Sequence, residues 1–458
     1  MKALLKKITA ALLSAALMLA AVPFTAYAAA ESVTNGSCTF TLDDDGTLTI
    51  SGSGTVSSSM KNAVSDSGAT DVIIEDGVTD IGDNAFNGCS SIKSVTIADS
   101  VTSIGYSAFS DCTKLESIDL GKGVEKISDF AFFNCNKLKS IYIPEKVSYI
   151  GSETFTQCRS LDYITVDEAN TFFDSRDNCN AIIDTNNNYL CYGSNNTVIP
   201  ESIKGIGENA FSERAGLKSA TIPGGVSVGF WAFTGCRGLT SLTISEGVPY
   251  LGEYAFNGCS GLKHVSLPDS IRYLEKGVFY GCSGLESLPD FKNVTSIGEE
   301  AFGCCSNIKS IKLPPSVVYI DEWAFWGCEA LTSAVIPEKV SISELDPEVN
   351  TVFQQCDNLT IFGYEYSDAY YYALNHGINF VSLRFDYPLS KGDMNGDFEI
   401  NGKDAALLAR RVSGWDGYAE IELSDFADIN GDGKINGQDS AILMRYTSGW
   451  EGYARFFN

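Results

Sequence analysis

Histidine is nearly absent: the 458 residues hold two, His264 and His376. A histidine-ligated zinc site, a haem or a Ser-His-Asp triad has almost nothing to be built from. Positive charge is also scarce. The chain carries 32 Lys+Arg against 58 Asp+Glu, a formal net charge of −26. It therefore offers no electrostatic footprint for nucleic acid or an anionic membrane surface. With 12 prolines and 43 glycines the composition is neither collagen nor linker. Beyond the N-terminus no apolar run approaches the length needed to span a bilayer. What is present, 44% hydrophobic and 11% aromatic residues, excludes a mostly disordered chain.

The N-terminus reads as an export signal. Lys2, Lys6 and Lys7 precede an Ala/Leu-rich stretch from Ile8 to Pro23, and Ala26-Tyr27-Ala28 is a small-x-small cleavage site. The pattern predicts a signal peptide over 1–28 and a secreted, extracellular protein. Loss of three lysines takes the net charge to about −29.

The body repeats with a period of about 23 residues. In one copy Val101, Ile104, Gly105, Ala108, Phe109, Cys112, Leu115, Ile118 and Leu120 recur as Val124, Ile127, Ala131, Phe132, Cys135, Leu138, Ile141 and Ile143 in the next. About eleven copies begin between Val78 and Val340, the last degenerate. Leu115, Ile118 and Leu120 suit a short strand, Val124 and Ile127 a second extended piece, and Ala131-Phe132 a helical or 3₁₀ turn. No single copy can bury its apolar set; stacked copies form a continuous column with parallel ladders between coils. The predicted fold is an α/β repeat solenoid of mostly short β-strands.

The pattern Val-x-x-Ile-Gly-x-x-Ala-Phe-x-x-Cys-x-x-Leu-x-Ser-Ile-x-Leu resembles the BspA-like leucine-rich repeats of bacterial surface proteins. The resemblance covers about residues 32–384 and implies a solenoid used for binding and adhesion. Residues 30–77 read as an N-terminal β cap and 78–384 as the solenoid. Residues 167–201 read as an Asn/Asp-rich β-hairpin island, and 364–384 as a helix-plus-strand C-terminal cap.

Ten of the 14 cysteines share one repeat position: Cys89, Cys112, Cys135, Cys158, Cys236, Cys259, Cys282, Cys305, Cys328 and Cys356. They read as buried free thiols, because coils about 4.8 Å apart set Cβ atoms wider than a disulfide prefers. One coil has Arg214 there, so its neighbours are not expected to depend on a partner at that position. Cys179 and Cys191 flank a turn in the island and are placed where a hairpin could pair them. A catalytic cysteine would need a basic partner that the sequence hardly offers.

The sharpest chemical signal is C-terminal. Asp393, Asn395, Asp397, Asn401 and Asp404 occupy positions 1, 3, 5, 9 and 12 of a loop, with Glu399 contributing a carbonyl at position 7. Asp428, Asn430, Asp432, Asn436 and Asp439, with Lys434 at position 7, repeat the pattern 35 residues later. A hard cation takes six to eight oxygens, and alternating positions of a tight loop supply them. Each loop is followed by an amphipathic segment, Ala405–Arg411 and Ser440–Tyr446, and by a Ser-Gly-Trp-x-Gly-Tyr close. Phe398 stands at position 6, where glycine is expected, and predicts the weaker loop.

This duplicated segment, 391–458, resembles a dockerin, a small all-α module that plugs exported proteins into the cohesin domains of a cellulosome-type scaffold. The resemblance implies two Ca²⁺ ions and a cohesin domain of a scaffoldin as partner. It implies cohesin contacts at Gly402, Lys403, Arg410, Gly437, Gln438 and Arg445.

Caps, repeats and this module use nearly the whole exported chain, so no catalytic domain, and hence no enzyme, is expected. Tyr149, Tyr250, Tyr273 and Tyr319 precede the inward residue of the second strand and are candidate ligand contacts, Tyr250 and Tyr273 on adjacent coils. A second aromatic group, Trp231, Tyr254, Tyr280, Trp323 and Trp326, lies by the Ala-Phe turn. The expected protein is a monomer that recognises a polysaccharide, cell surface or protein, or else a purely structural or adhesive surface component.

Overall fold

Each copy alternates short extended pieces with tight turns, and its apolar positions close only against the copies before and after it. A computed structural model of the protein describes residues 31–35, 37–58, 64, 67–290, 292–343, 351–383, 390–395, 399–421, 423, 426–450 and 452–457. Residues 1–28, expected to be a signal peptide, lie outside the described residues. The chain winds as a β-solenoid of about 14 turns with few helices and ends in a small helical region. The period alone gives about eleven; segments off the period also wind. Thr47–Gly52 pairs in parallel with Asp71–Ile74, and Tyr189–Leu190 with Gly205–Ile206. Two compact units result, Met1–Ala220 with Val228–Leu239, and Thr221–Ser227 with Thr240–Asn458.

The first unit opens with three antiparallel strands, Glu31–Asn35, Cys38–Leu42 and Thr47–Gly52. Parallel strands Asp71–Ile74, Ser94–Ile97 and Ser117–Asp119 continue that sheet. A second parallel ladder runs through Val78–Ile81, Ser103–Ile104, Lys126–Ile127 and Tyr149–Ile150. Surface carboxylates also tie coil to coil. Asp83, Asp99 and Asp129 accept from the backbone N–H of Tyr106, Lys122 and Ser152, each 23 residues on, at 2.7–2.9 Å. Part of the acidic excess is therefore structural.

The core is a stack of identical side chains. Phe86, Phe109, Phe132 and Phe155 lie ring on ring with centroids 4.9–5.6 Å apart. The stack ends on the edge of Tyr192, 5.3 Å away, whose hydroxyl accepts from the Thr154 N–H and donates to the Gly151 carbonyl. Beside the rings run the cysteines. Cys112, Cys135 and Cys158 donate S–H to the carbonyls of Phe86, Phe109 and Phe132, each at 3.2 Å. The coil-to-coil repeat thus makes each thiol a donor to the coil before it.

The Ala-Phe segment makes the single 3₁₀-type turn expected, with Phe133 N–H to Phe130 O, and a second i→i+3 turn follows it, Cys135 N–H to Phe132 O. Two left-handed residues per coil interrupt any right-handed helix: Ser107 and Asp111, then Phe130 and Asn134, have φ of 50–61°.

Phe173–Asp174, Ala181–Asp184 and Tyr189–Gly193 pair antiparallel in the 167–201 island. Arg214, which takes the cysteine position in this coil, braces it. Its side chain is 1% exposed. Nε donates to Gly193 O at 2.8 Å, and Nη1 to Phe155, Ser212 and Cys158 carbonyls at 3.1–3.3 Å. In regular coils the phenylalanine carbonyl takes a cysteine S–H; where the island parts the coils, only a side chain as long as arginine reaches it.

The second unit repeats the scheme. Phe256, Phe279, Phe302, Phe325 and Phe353 stack at 5.5–5.7 Å and end on the edge of Tyr372 at 6.0 Å. The Tyr372 hydroxyl accepts from Val352 N–H at 3.0 Å, as Tyr192 does from Thr154. Tyr372 sits on helix α1 (Asp368–Asn375), capped by Ser367 and followed by strand Asn379–Ser382, parallel to Thr360–Gly363.

Twelve of the 14 thiols are buried, none is in a disulfide, and Cys191 and Cys304 are half-buried. Cys179 and Cys191 are thus unpaired. Burial pushes Cys282 and Cys356 up to about 12, and Cys158 to about 11. A thiol at 12 is about 10⁻⁴ thiolate at pH 8, and the thiolate is the nucleophile. A thiol-reactive chromophore at pH 8 is expected to label at most Cys191 and Cys304 promptly, and the other twelve only after denaturation. Fast labelling of six or more thiols in the native protein would contradict the ladder.

Candidate cation loops and interaction surfaces

Two helices shape the C-terminal region, α2 (Gly402–Val412) and α3 (Gly437–Thr447). Both begin three residues earlier than the apolar pattern indicated, inside the twelve-residue loops. The cause is a capping box. The Asn401 side chain accepts from Lys403 N–H at 2.9 Å, while Asp404 accepts from Asn401 N–H at 2.8 Å. Asn436 and Asp439 do the same in the second copy, at 2.8 Å each. Loop positions 9 and 12 therefore double as helix N-cap and N3 residue.

Asp393, Asp404 and Asp439 are fully buried. Asp404 also accepts from the N–H groups of Met394 and Asn395 at 2.8 and 3.2 Å. Burial nevertheless holds its pKa above the usual carboxylate value, with Asp393 adding to the rise. A divalent cation is the natural complement to such charge. In the second loop Asp428 accepts from the N–H groups of Gly431, Asp432 and Gly433 at 2.8–3.1 Å, curling the backbone around one carboxylate. Gly433 makes that turn at φ 78°. Asn430 Nδ2 donates to Asp432 Oδ2 at 3.0 Å, so the position 3 and 5 side chains converge. This donor set, all hard oxygen, fits calcium. Asn395 is half-buried, and Glu399 and Lys434 are exposed. Asp397 and Phe398 lie outside the described residues.

The module closes on itself. Gly392 has φ 95°, and a Cβ there would lie 2.4 Å from the Phe457 ring, so only glycine admits this clasp. Gly402, Lys403, Gly437 and Gln438 form two exposed helix starts. Arg410 lies over Trp415 and Tyr418 at 5.4 and 5.2 Å and donates to the Tyr418 hydroxyl at 2.7 Å. Arg445, over Trp450 and Tyr453 at 5.6 Å and bonded to Tyr453 at 2.9 Å, copies it. The two halves differ in their neighbours. Tyr418 packs edge-on against Phe362 of the last coils at 4.6 Å, and Glu420 pairs with Lys312 at 2.7 Å. Val335, Phe362 and Leu383 share one core with Met394, Leu408, Ile421 and Leu443.

On the coils, Tyr149, Tyr250, Tyr273 and Tyr319 are exposed as expected. Tyr149 belongs to the first unit, and Ser296 separates Tyr273 from Tyr319 in the second-unit ladder. Trp231, Tyr254 and Trp323 adopt φ of 49–54°, the left-handed corner before Ala-Phe. Tyr280 and Trp326 stack at 6.2 Å. The sequence reading missed Tyr142 and Tyr163, 49% and 56% exposed on the first-strand face. The alternation in Ser-Ile-Tyr-Ile already pointed Tyr142 outward.

The repeats and the loops each find a counterpart among known proteins. Residues 60–182, 181–289 and 287–368 match the BspA type leucine rich repeat region. The chain belongs to the BspA-type leucine-rich-repeat family. Residues 391–447 match the dockerin type I domain, so this BspA-type protein ends in a dockerin. Among solved structures, a leucine-rich repeat protein from Eubacterium ventriosum is 25% identical, covering 70% of this chain and 99% of its own, with TM-score 0.48. One from Bacteroides ovatus is 22% identical over 77% and 100%, with TM-score 0.44. The pneumococcal vaccine antigen PcpA is 15% identical over 78% and 99%, with TM-score 0.48. No curated protein matches the chain. Dockerin type I domains bind calcium and imply a cohesin partner, and leucine-rich repeats imply protein or surface binding. Both modules are non-catalytic and typical of extracellular or cell-surface proteins. Among the described residues no helix is long and apolar enough to cross a membrane.

Proposed function

We propose that this BspA-type protein is a secreted, non-catalytic binding subunit of a cellulosome-type complex. The duplicated loop carries the reading: each copy places a fully buried carboxylate at position 12, on the first turn of a helix. Asp393, Asn395, Asp397, Glu399, Asn401 and Asp404 hold one Ca²⁺. Asp428, Asn430, Asp432, Lys434, Asn436 and Asp439 hold the second, with Glu399 and Lys434 acting through their carbonyls. Calcium supplies the positive charge that lets these oxygens converge; the chain's own part is to fix the capped helices that follow. The exposed helix starts at Gly402-Lys403 and Gly437-Gln438, with Arg410 and Arg445, face a scaffoldin cohesin. The coils recognise a polysaccharide, and the dockerin couples that recognition to the assembly.

The test is bridging. Full-length protein held on an immobilised type I cohesin in calcium is expected to retain a soluble plant-wall polysaccharide that the cohesin alone does not. Retention of extracellular protein and of no polysaccharide would make it an adhesive component.

A further inference from the structure

The island does more than interrupt the coils: with the strands beside it, it encloses a cleft of about 810 Å³. Tyr142 stands on one wall, on the outward face of strand Ser140–Ile143, in register with Thr165 of Tyr163–Val166. Glu168, Asp177, Asn178 and Asn180 line the rest with Thr165. The size suits one or two sugar rings, within the range of small-molecule sites.

Three features make this a built site. First, its walls are braced. Arg214 bonds the Gly193, Phe155 and Cys158 carbonyls across the island's base, and Asn170 ties the island's start to the Pro144 and Val147 carbonyls at 2.8 and 2.9 Å. Second, the rim has a defined course: Asp177, Asn178 and Asn180 take left-handed φ of 58°, 53° and 56°, a region Asp and Asn adopt more readily than other side chains. Third, the chemistry is selective. Arg176 is spent on Asp174, with Nη2 to Oδ2 at 2.6 Å, and on Asn188 at 2.8 Å. The Tyr142 hydroxyl donates to Asp167, which holds the phenol up at about 12 and its ring neutral. What remains is an aromatic face among acceptors and amides in a cleft of negative charge. That set repels uronates and sulfated sugars, and it suits the hydroxyls and apolar face of an uncharged pyranose.

We infer that this cleft is a subsite for one or two neutral sugar residues of a polysaccharide, with Tyr142 as the stacking face and Glu168, Asp177, Asn178 and Asn180 as hydroxyl partners. It rests on the polysaccharide reading above and locates it.

The experiment is calorimetric titration of the full chain in calcium with cellohexaose, xylohexaose and mannohexaose, and with polygalacturonate as the charged control. At least one neutral hexasaccharide is expected to bind and polygalacturonate is not. Tyr142→Ala should weaken that binding tenfold or more, whereas Tyr371→Ala, at an exposed tyrosine of α1, should leave it within twofold. Asp177→Gly and Asn178→Gly relieve left-handed backbone, so they should preserve or raise thermal stability while also weakening binding tenfold. A purely structural role would not separate the two. If a neutral sugar binds all variants equally, the subsite is overturned and the polysaccharide reading survives. If polygalacturonate alone binds, the subsite is overturned and the polysaccharide reading survives; if no sugar binds, both fail.

Discussion

Chelating calcium with EDTA is expected to remove the helical circular dichroism contributed by α2 and α3 and to expose the amides of 391–457 to hydrogen exchange. Readdition should restore both. Without the ions, the buried carboxylates of Asp393, Asp404 and Asp439 lose the charge that offsets their desolvation. Calcium a thousandfold above its Kd stabilises each loop by about 4 kcal/mol, a large share of what so small a domain has. The effect should spill into the last coils. Phe362 and Leu383 share the dockerin core, so 360–383 should lose part of their protection. The Phe256-to-Phe325 stack should keep its own, since coils depend on their neighbours rather than on a distant end. Unchanged exchange in 391–457 without calcium would contradict the loops as cation sites.

Replacing Arg214 by Ala is expected to be the most damaging single change in the first unit, at about 3–5 kcal/mol. It strands several buried carbonyls, each costing about 1–3 kcal/mol, and it empties the volume of the largest fully buried side chain among the described residues. Arg214→Met separates the terms, because it fills much of the space without donating. It should recover the packing part alone. Hydrogen exchange should localise the loss to 155–239, around the island, with 250–380 unchanged. Equal stability of the Ala variant would mean the guanidinium does not bridge the coils.

The repeat was legible because every coil presents the same inward residues; Phe109, Cys112, Leu115 and Ile118 need no context to be recognised. The left-handed corners were not. Left-handed backbone is imposed on Ser107, Phe130, Trp231 and Tyr254 alike by the coils above and below, and no shared residue type marks it. Arg214 was visible only as a gap in the cysteine column, since its partners lie up to 59 residues away across the island. At the C-terminus the ligand spacing was plain. Asn401 and Asp404 were read as ligands, and their second role as a capping box moved the helix start into the loop. Tyr142 lies on the first strand of its coil, and only the island folded beside that strand makes its exposed ring part of a cleft.

If a coiled binding scaffold is tethered through a calcium-built dockerin, its capture must depend on calcium. The decisive measurement is titration of the full-length protein with a type I cohesin, once in calcium and once in EDTA. One-to-one capture is expected in calcium, weakened at least a hundredfold by EDTA and by Asp439→Ala. Capture that ignores calcium, or a cohesin that leaves the protein unbound in calcium, would contradict it.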